Sequence, residues 1–283
     1  MRAKNGCFRI INHQIPTTLM SDMKSVVRSL LDLPPEIKRR NTDVIAGSGY
    51  VAPNMVNPLY EGLGLYDIGS THVVLDFCTQ LDASPQQSEM DEDLYSPIRR
   101  RKQRRDSDGS EKRDPSSRHR DTILRYSQSI HKLAMDIGNK LAQSMGLASD
   151  LFMGWPCQFR INKYSFTPET LGSSGVQIHT DSAFLTILQD DENVGGLEVM
   201  DKKSGEFVPV DPMPGTLLVN LGDFATVGPK EAPLEAPPEL VDSENHPRLH
   251  VPINFEDYRK LQISTGLRAG EALDKLSASN VPF

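Results

Sequence analysis

Gly175-Val176-Gln177-Ile178-His179-Thr180-Asp181 is the stretch on which the reading of the fold turns. Val176-Gln177-Ile178 has the β-branched content of a short strand, and His179 and Asp181 stand two residues apart at its end. In extended backbone, residues i and i+2 point to the same side, so an imidazole and a carboxylate can converge on one ion. A second histidine from elsewhere would complete a facial triad and leave open positions on Fe(II). The spacing alone is a weak signal. His119-Arg120-Asp121 repeats it inside a polar stretch where nothing fixes its geometry, and coincidence is the simpler reading there. His179 differs in its setting between two β-rich segments, followed by Phe184-Leu185-Thr186-Ile187-Leu188 and then Gly195-Gly196-Leu197-Glu198-Val199.

Working outward, Phe159–Tyr164, Gly196–Met200 and Thr216–Asn220 also read as short strands, separated by turn signals such as Lys203-Ser204-Gly205 and Met213-Pro214-Gly215. Helices lie upstream. Cys7–Asn12 reads as an entry strand, and Thr17 or Thr18 is placed to cap a helix from about Leu19 to Leu33, ended by Pro34-Pro35. The Gly-, Pro- and Asn-rich stretch Asn41–Ser70 reads as ordered loop. A second helix starts near Ser70 or Thr71, and a third carries apolar residues from Ile123 to Met145. A final helix is expected near Phe255–Leu261. Helices first and short antiparallel strands later indicate an α+β fold with a barrel or jelly-roll core buttressed by helices. Residues 88–120 interrupt it, almost without apolar side chains, and six of the seven positions from Arg99 to Arg105 are Lys or Arg. Such a block cannot bury enough surface to offset its ordering entropy, and disorder is expected. The chain divides into a helical region 1–87, the polar insertion 88–120, a buttressing helix in 121–158, a β core in 159–227 and a tail in 228–283.

Composition narrows the function classes. No segment approaches the roughly 20 consecutive apolar residues of a membrane-spanning helix, and the start lacks a signal-peptide pattern. Three widely spaced cysteines give neither a disulfide framework nor a zinc site. A cytosolic location is the expectation, with the basic run 99–105 leaving the nucleus open. A net charge of −7 argues against a nucleic-acid partner for the chain as a whole. Oligomeric state is not legible.

Five motifs in order, Gly6-Cys7-Phe8-Arg9-Ile10-Ile11-Asn12-His13, Arg160-Ile161-Asn162-Lys163-Tyr164, Gly175–Asp181, Gly196–Val199 and Leu218-Val219-Asn220-Leu221-Gly222-Asp223, resemble those of plant iron(II)- and 2-oxoglutarate-dependent dioxygenases. The wording, including Ser165-Phe166-Thr167-Pro168-Glu169, looks closest to the enzymes that oxidise auxin. The resemblance implies a double-stranded β-helix, Fe(II), and 2-oxoglutarate as cosubstrate. It implies His179 and Asp181 as metal ligands and Tyr164 as a hydrogen-bond donor to the distal carboxylate of 2-oxoglutarate. The implied reaction converts indole-3-acetic acid to 2-oxindole-3-acetic acid. Phe8, Phe166 and Phe184 are aromatic side chains that could face an indole.

The pattern breaks after Asp223. The family expects a second histidine ligand and then an Arg-x-Ser whose guanidinium grips the cosubstrate carboxylate in a fork. Here Phe224-Ala225-Thr226-Val227 runs directly into Gly228-Pro229, and no Arg-x-Ser follows Asp181. Late barrel strands are therefore expected to be missing, and the opening strand to be clipped. His246 stands in a tail-like context whose Pro247 suits a turn, so a ligand role for it is the minority reading. Two alternatives accompany the auxin reading: a sister dioxygenase acting on another small plant metabolite (a gibberellin or flavonoid), and a non-catalytic binding protein on the same scaffold.

Overall fold

The computed structural model describes residues 6–42, 48–82, 115–147, 151–201, 204–223, 241–242, 244, 247, 249–253, 255–265 and 271–277. The basic run 99–105 and His246 lie outside them.

Strand β1 (Cys7–Ile10) leads into α1 (Thr17–Leu31). The expected threonine cap does not form. Pro16 is the residue before the first turn, with its carbonyl accepting the Met20 N–H, and both threonines are already helical. Proline presets the entry, since its ring fixes φ and leaves no N–H to satisfy. The helix buries Leu19, Met23, Val26 and Leu30 on one stripe, the spacing that a 3.6-residue period demands. A single turn, α2 (Pro35–Lys38), follows.

The stretch read as loop contains a strand, β2 (Tyr60–Leu65), paired antiparallel with β3 (Phe159–Tyr164) so that Tyr60 faces Tyr164 and Gly64 faces Arg160. Glycines hid it from a reading by β propensity. They are required: a Cβ on Gly64 would lie 2.3 Å from the Ser48 carbonyl oxygen. The outer edge of Gly64 is closed by the Asn41 side chain, which accepts from the Gly64 N–H and donates to its carbonyl at 3.0 and 2.9 Å.

Helix α3 (Thr71–Gln80) begins where expected. Helix α4 (Pro115–Ser144) starts earlier than its apolar periodicity, taking in the last residues of the polar block. His119 and Asp121 are thus helical, and helical positions i and i+2 do not face each other, so their spacing cannot make a chelate. Helices α1 and α3 pack on α4. Together with Leu63, Ile161 and Leu217 from the strands they enclose one apolar core.

The later strands are β4 (Leu185–Leu188), β5 (Glu198–Met200), β6 (Phe207–Pro209) and β7 (Leu217–Leu221). Strand β7 is central in a three-stranded antiparallel sheet ordered β1–β7–β4, and β5 pairs with β6 in a separate ribbon. Val176–Ile178 does not become a strand. Its carbonyls are taken up locally, Val176 by the Ser174 hydroxyl and Gln177 by the His179 ring. Among the described residues no strand follows β7. Isolated bridge positions occur at Asp242, His250, Ile253 and Ser277, with His250 paired to Ser277, and helices α5 (Phe255–Thr265) and α6 (Glu271–Lys275) are the last described elements. Two of the three free thiols are buried enough to be held protonated. Burial pushes Cys78 up to about 11, and burial with the nearby Asp67 charge pushes Cys157 up to about 12.

One buried ion pair joins α2 to β2. Lys38 donates to Glu61 at 2.6 Å and to the Leu31 carbonyl at 2.9 Å, and Tyr50 donates to the same carboxylate oxygen at 2.7 Å. Burial opposes ionisation of Glu61, but the bonds from Lys38 and Tyr50 outweigh it and lower its pKa. A carboxyl lowered on folding stabilises above its unfolded pKa, about 4.3, and that contribution is lost as pH falls through the folded value. Glu61→Gln should therefore reduce stability at pH 7 by about 3 kcal/mol, because Lys38 loses its charge partner. It should also flatten the fall in melting temperature as pH drops below about 4.3, as followed by circular dichroism.

Candidate metal and cosubstrate site

His179 and Asp181 lie in irregular backbone just before β4. The His179 Nδ1 is 2.8 Å from the Gln177 carbonyl oxygen, and a carbonyl only accepts, so this nitrogen carries the proton. In the neutral ring the lone pair is then on Nε2, which faces Asp181 Oδ1 at 3.7 Å. That separation is too long for a hydrogen bond. Two adjacent ligands each about 2.1 Å from a common ion lie roughly 3.0–3.4 Å apart, so the two side chains are a few tenths of an ångström from sharing one.

The other carboxylate oxygen is spoken for. Asp181 Oδ2 accepts from Thr186 Oγ1 at 2.6 Å, from β4, and from Asn220 Nδ2 at 2.9 Å, from β7. These bonds set the carboxylate plane and leave Oδ1 to point at the imidazole. The pair is open to solvent, with side chains 55% and 33% exposed, as a site that must admit small molecules requires.

The backbone beneath the pair is equally constrained. Gly222 and Asp223, just past β7, donate their N–H groups to the carbonyls of Phe184 at 3.0 Å and Asp181 at 2.7 Å. A Cβ on Gly222 would lie 2.0 Å from the Ala183 carbonyl oxygen, so any larger residue would push the two segments apart.

Tyr164 ends β3, its ring stacked at a tilt on Tyr60 with centroids 5.5 Å apart. Among the described residues nothing hydrogen-bonds to its hydroxyl. Partial burial first, then the Tyr60 hydroxyl and the Asp181 charge, raise its pKa against the opposing pull of Arg160. Tyr164 is thus a neutral donor electrostatically coupled to Asp181. Arg160 is not available as a cosubstrate clamp: it donates to the Ser48 and Gly49 carbonyls at 2.6 and 2.8 Å and to the Tyr60 hydroxyl at 3.0 Å.

Of the three sequence-derived candidates, His179 and Asp181 face each other, and the Asp181 charge disfavours ionisation of Tyr164. Phe184 packs into an aromatic cluster with Phe152 at 4.6 Å and Trp155 at 6.2 Å, Phe166 is largely exposed, and Phe8 sits on β1 opposite Val219. Among the described residues no third His, Cys, Asp or Glu joins the pair to form a metal cluster. Sequence reading missed Thr186, Asn220, Gly222 and Asp223 as supporting residues. Polar Thr186 and Asn220 inside apolar strands were the available signal.

Comparison with known proteins identifies the family. Residues 155–236 match the 2OG-Fe(II) oxygenase superfamily. The chain is 42% identical to the 2-oxoglutarate-dependent dioxygenase DAO of Oryza sativa subsp. japonica, an alignment covering 98% of this chain and 91% of that protein. The crystal structure of the rice dioxygenase for auxin oxidation superposes with a TM-score of 0.77 at 41% identity, covering 98% of this chain and 91% of the other. The 2-oxoglutarate binary complex of dioxygenase for auxin oxidation 1 from Arabidopsis thaliana superposes at 0.71 and 46% identity, covering 86% and 90%. The chain belongs to the 2OG-Fe(II) oxygenase superfamily, whose cofactor is Fe(II) and whose cosubstrate is 2-oxoglutarate.

Proposed function

We propose that the chain is an auxin dioxygenase in which His179 Nε2 and Asp181 Oδ1 hold the iron and Tyr164 donates to the distal carboxylate of 2-oxoglutarate. The carrying observation is the near-full-length likeness to the rice auxin-oxidising enzyme in sequence and fold. Indole-3-acetic acid is the expected substrate and 2-oxindole-3-acetic acid the product. When bound, iron and 2-oxoglutarate supply the oxidising chemistry. The protein's role is to fix the two ligands, orient the cosubstrate through Tyr164 and hold the substrate at the exposed mouth of the site.

On this reading the polar stretch 88–120 is an insertion between the helical region 1–87 and the helix in 121–158. Residues 159–227 are then a partial jelly roll whose late strands are missing, with a tail from 228 to 283. The direct run of Val227 into Gly228 supports this. The proposed location is the cytosol, the basic run leaving the nucleus open. A second reading, a non-catalytic binding protein on this scaffold, is favoured by two observations: among the described residues no third ligand joins the pair, and no Arg-x-Ser follows Asp181 in the sequence.

Aerobic incubation of the purified chain with Fe(II), 2-oxoglutarate, ascorbate and indole-3-acetic acid should yield a product one oxygen atom heavier by mass spectrometry, abolished by His179→Ala. Unchanged indole-3-acetic acid in folded, iron-loaded protein would put the binding reading in front. Tyr164→Phe should weaken 2-oxoglutarate binding about tenfold in anaerobic titration, the expected cost of one hydrogen bond to a charged group, with iron affinity little altered.

A further inference from the structure

Asp223 stands where three segments of the chain meet. Its Oδ2 accepts from the Thr180 hydroxyl at 2.7 Å and from the Tyr258 hydroxyl at 2.7 Å, and its N–H donates to the Asp181 carbonyl at 2.7 Å. Thr180 is the residue between His179 and Asp181. Tyr258 belongs to α5, and its side chain is fully buried in a small cluster with Ala272, Trp155, Ile253 and Leu273. A phenylalanine would fill that cluster equally well. The hydroxyl is explained by the carboxylate it reaches.

We propose that Asp223 and Tyr258 are positioning residues that tie α5 to the metal-binding segment. The Tyr258 hydroxyl orients the Asp223 carboxylate. That carboxylate fixes Thr180, and with it the relative placement of the residues on either side. A link of this kind makes the C-terminal helix a member of the site although it supplies no ligand. The inference rests on the reading of His179 and Asp181 as metal ligands, and it extends the support of the pair from β4 and β7 to α5.

The test uses the full chain and the variants Tyr258→Phe, Thr180→Val and their double. Two readouts are needed: anaerobic Co(II) titration by visible absorption, and amide hydrogen exchange over residues 177–183 without metal. Loss of a supporting hydrogen bond behind metal ligands costs roughly 10- to 100-fold in affinity, so each single variant should weaken Co(II) binding about tenfold and speed exchange over that segment. The double should be little worse than either single, because both remove pieces of one path. Tyr258→Phe that melts earlier yet binds Co(II) and exchanges like the parent would overturn the inference and leave Tyr258 as an anchor for α5 alone. If the parent binds no Co(II), the metal reading falls by itself and exchange decides the tether: faster exchange in Tyr258→Phe upholds it, unchanged exchange ends it. Asp223→Asn, which keeps an acceptor oxygen, should retain more affinity than Asp223→Ala, and equal loss in both would count against the proposal.

Discussion

The N–H groups of Gly222 and Asp223 meet the carbonyls of Phe184 and Asp181 at hydrogen-bonding distance, and the site depends on that meeting. It is possible because β7 is the central strand of its sheet, with Leu217, Leu218 and Val219 buried between β1 and β4. A central strand is paired on both sides, and sliding β7 would break its ladders to β1 and β4 together. Its fixed register therefore carries through Asn220 to the Asp181 carboxylate, and through Gly222 to the backbone beside it.

The opening strand supports β7 from the other end of the chain. Arg9 on β1 reaches across to Asp190, just beyond β4, at 2.6 Å, and also donates to the Asp211 carbonyl and the Thr216 hydroxyl. A guanidinium suits this position because its five donors lie in a fixed plane and can serve several acceptors at once. The edges of the three-stranded sheet are thus held together by side chains as well as by the ladder. On the ribbon β5–β6, by contrast, Phe207 and Val208 remain exposed.

How much of this was legible in the sequence follows from how local each signal is. His179, Asp181 and Tyr164 could be named because each sits in a short motif whose meaning is carried by its neighbours. Asn220 and Thr186 were visible as polar residues in apolar strands, but their shared acceptor lies 39 and 5 residues away and no pattern along the chain names it. Strand β2 was unreadable by propensity, since Gly62 and Gly64 weaken it. Pairing with β3 and the Asn41 side chain supply what the residues themselves lack. The start of α4 was misplaced for the converse reason: Ser116 to Arg120 carry no apolar period, yet they are helical ahead of an apolar stripe. Val176–Ile178 has the residues of a strand and no ladder; the Val176 and Gln177 carbonyls meet side chains instead.

The partly buried thiols bear on how the chain would fare beside an iron centre that handles oxygen. Oxidation of cysteine begins at the thiolate, and susceptibility follows thiolate content and exposure. With Cys157 pushed up to about 12 and Cys78 to about 11, almost none of either is ionised at neutral pH. An oxidant that attacks thiolates would find two of the three sulfurs in the less reactive thiol form. The packing that builds the core thereby also gives it durability against the by-products of its own chemistry.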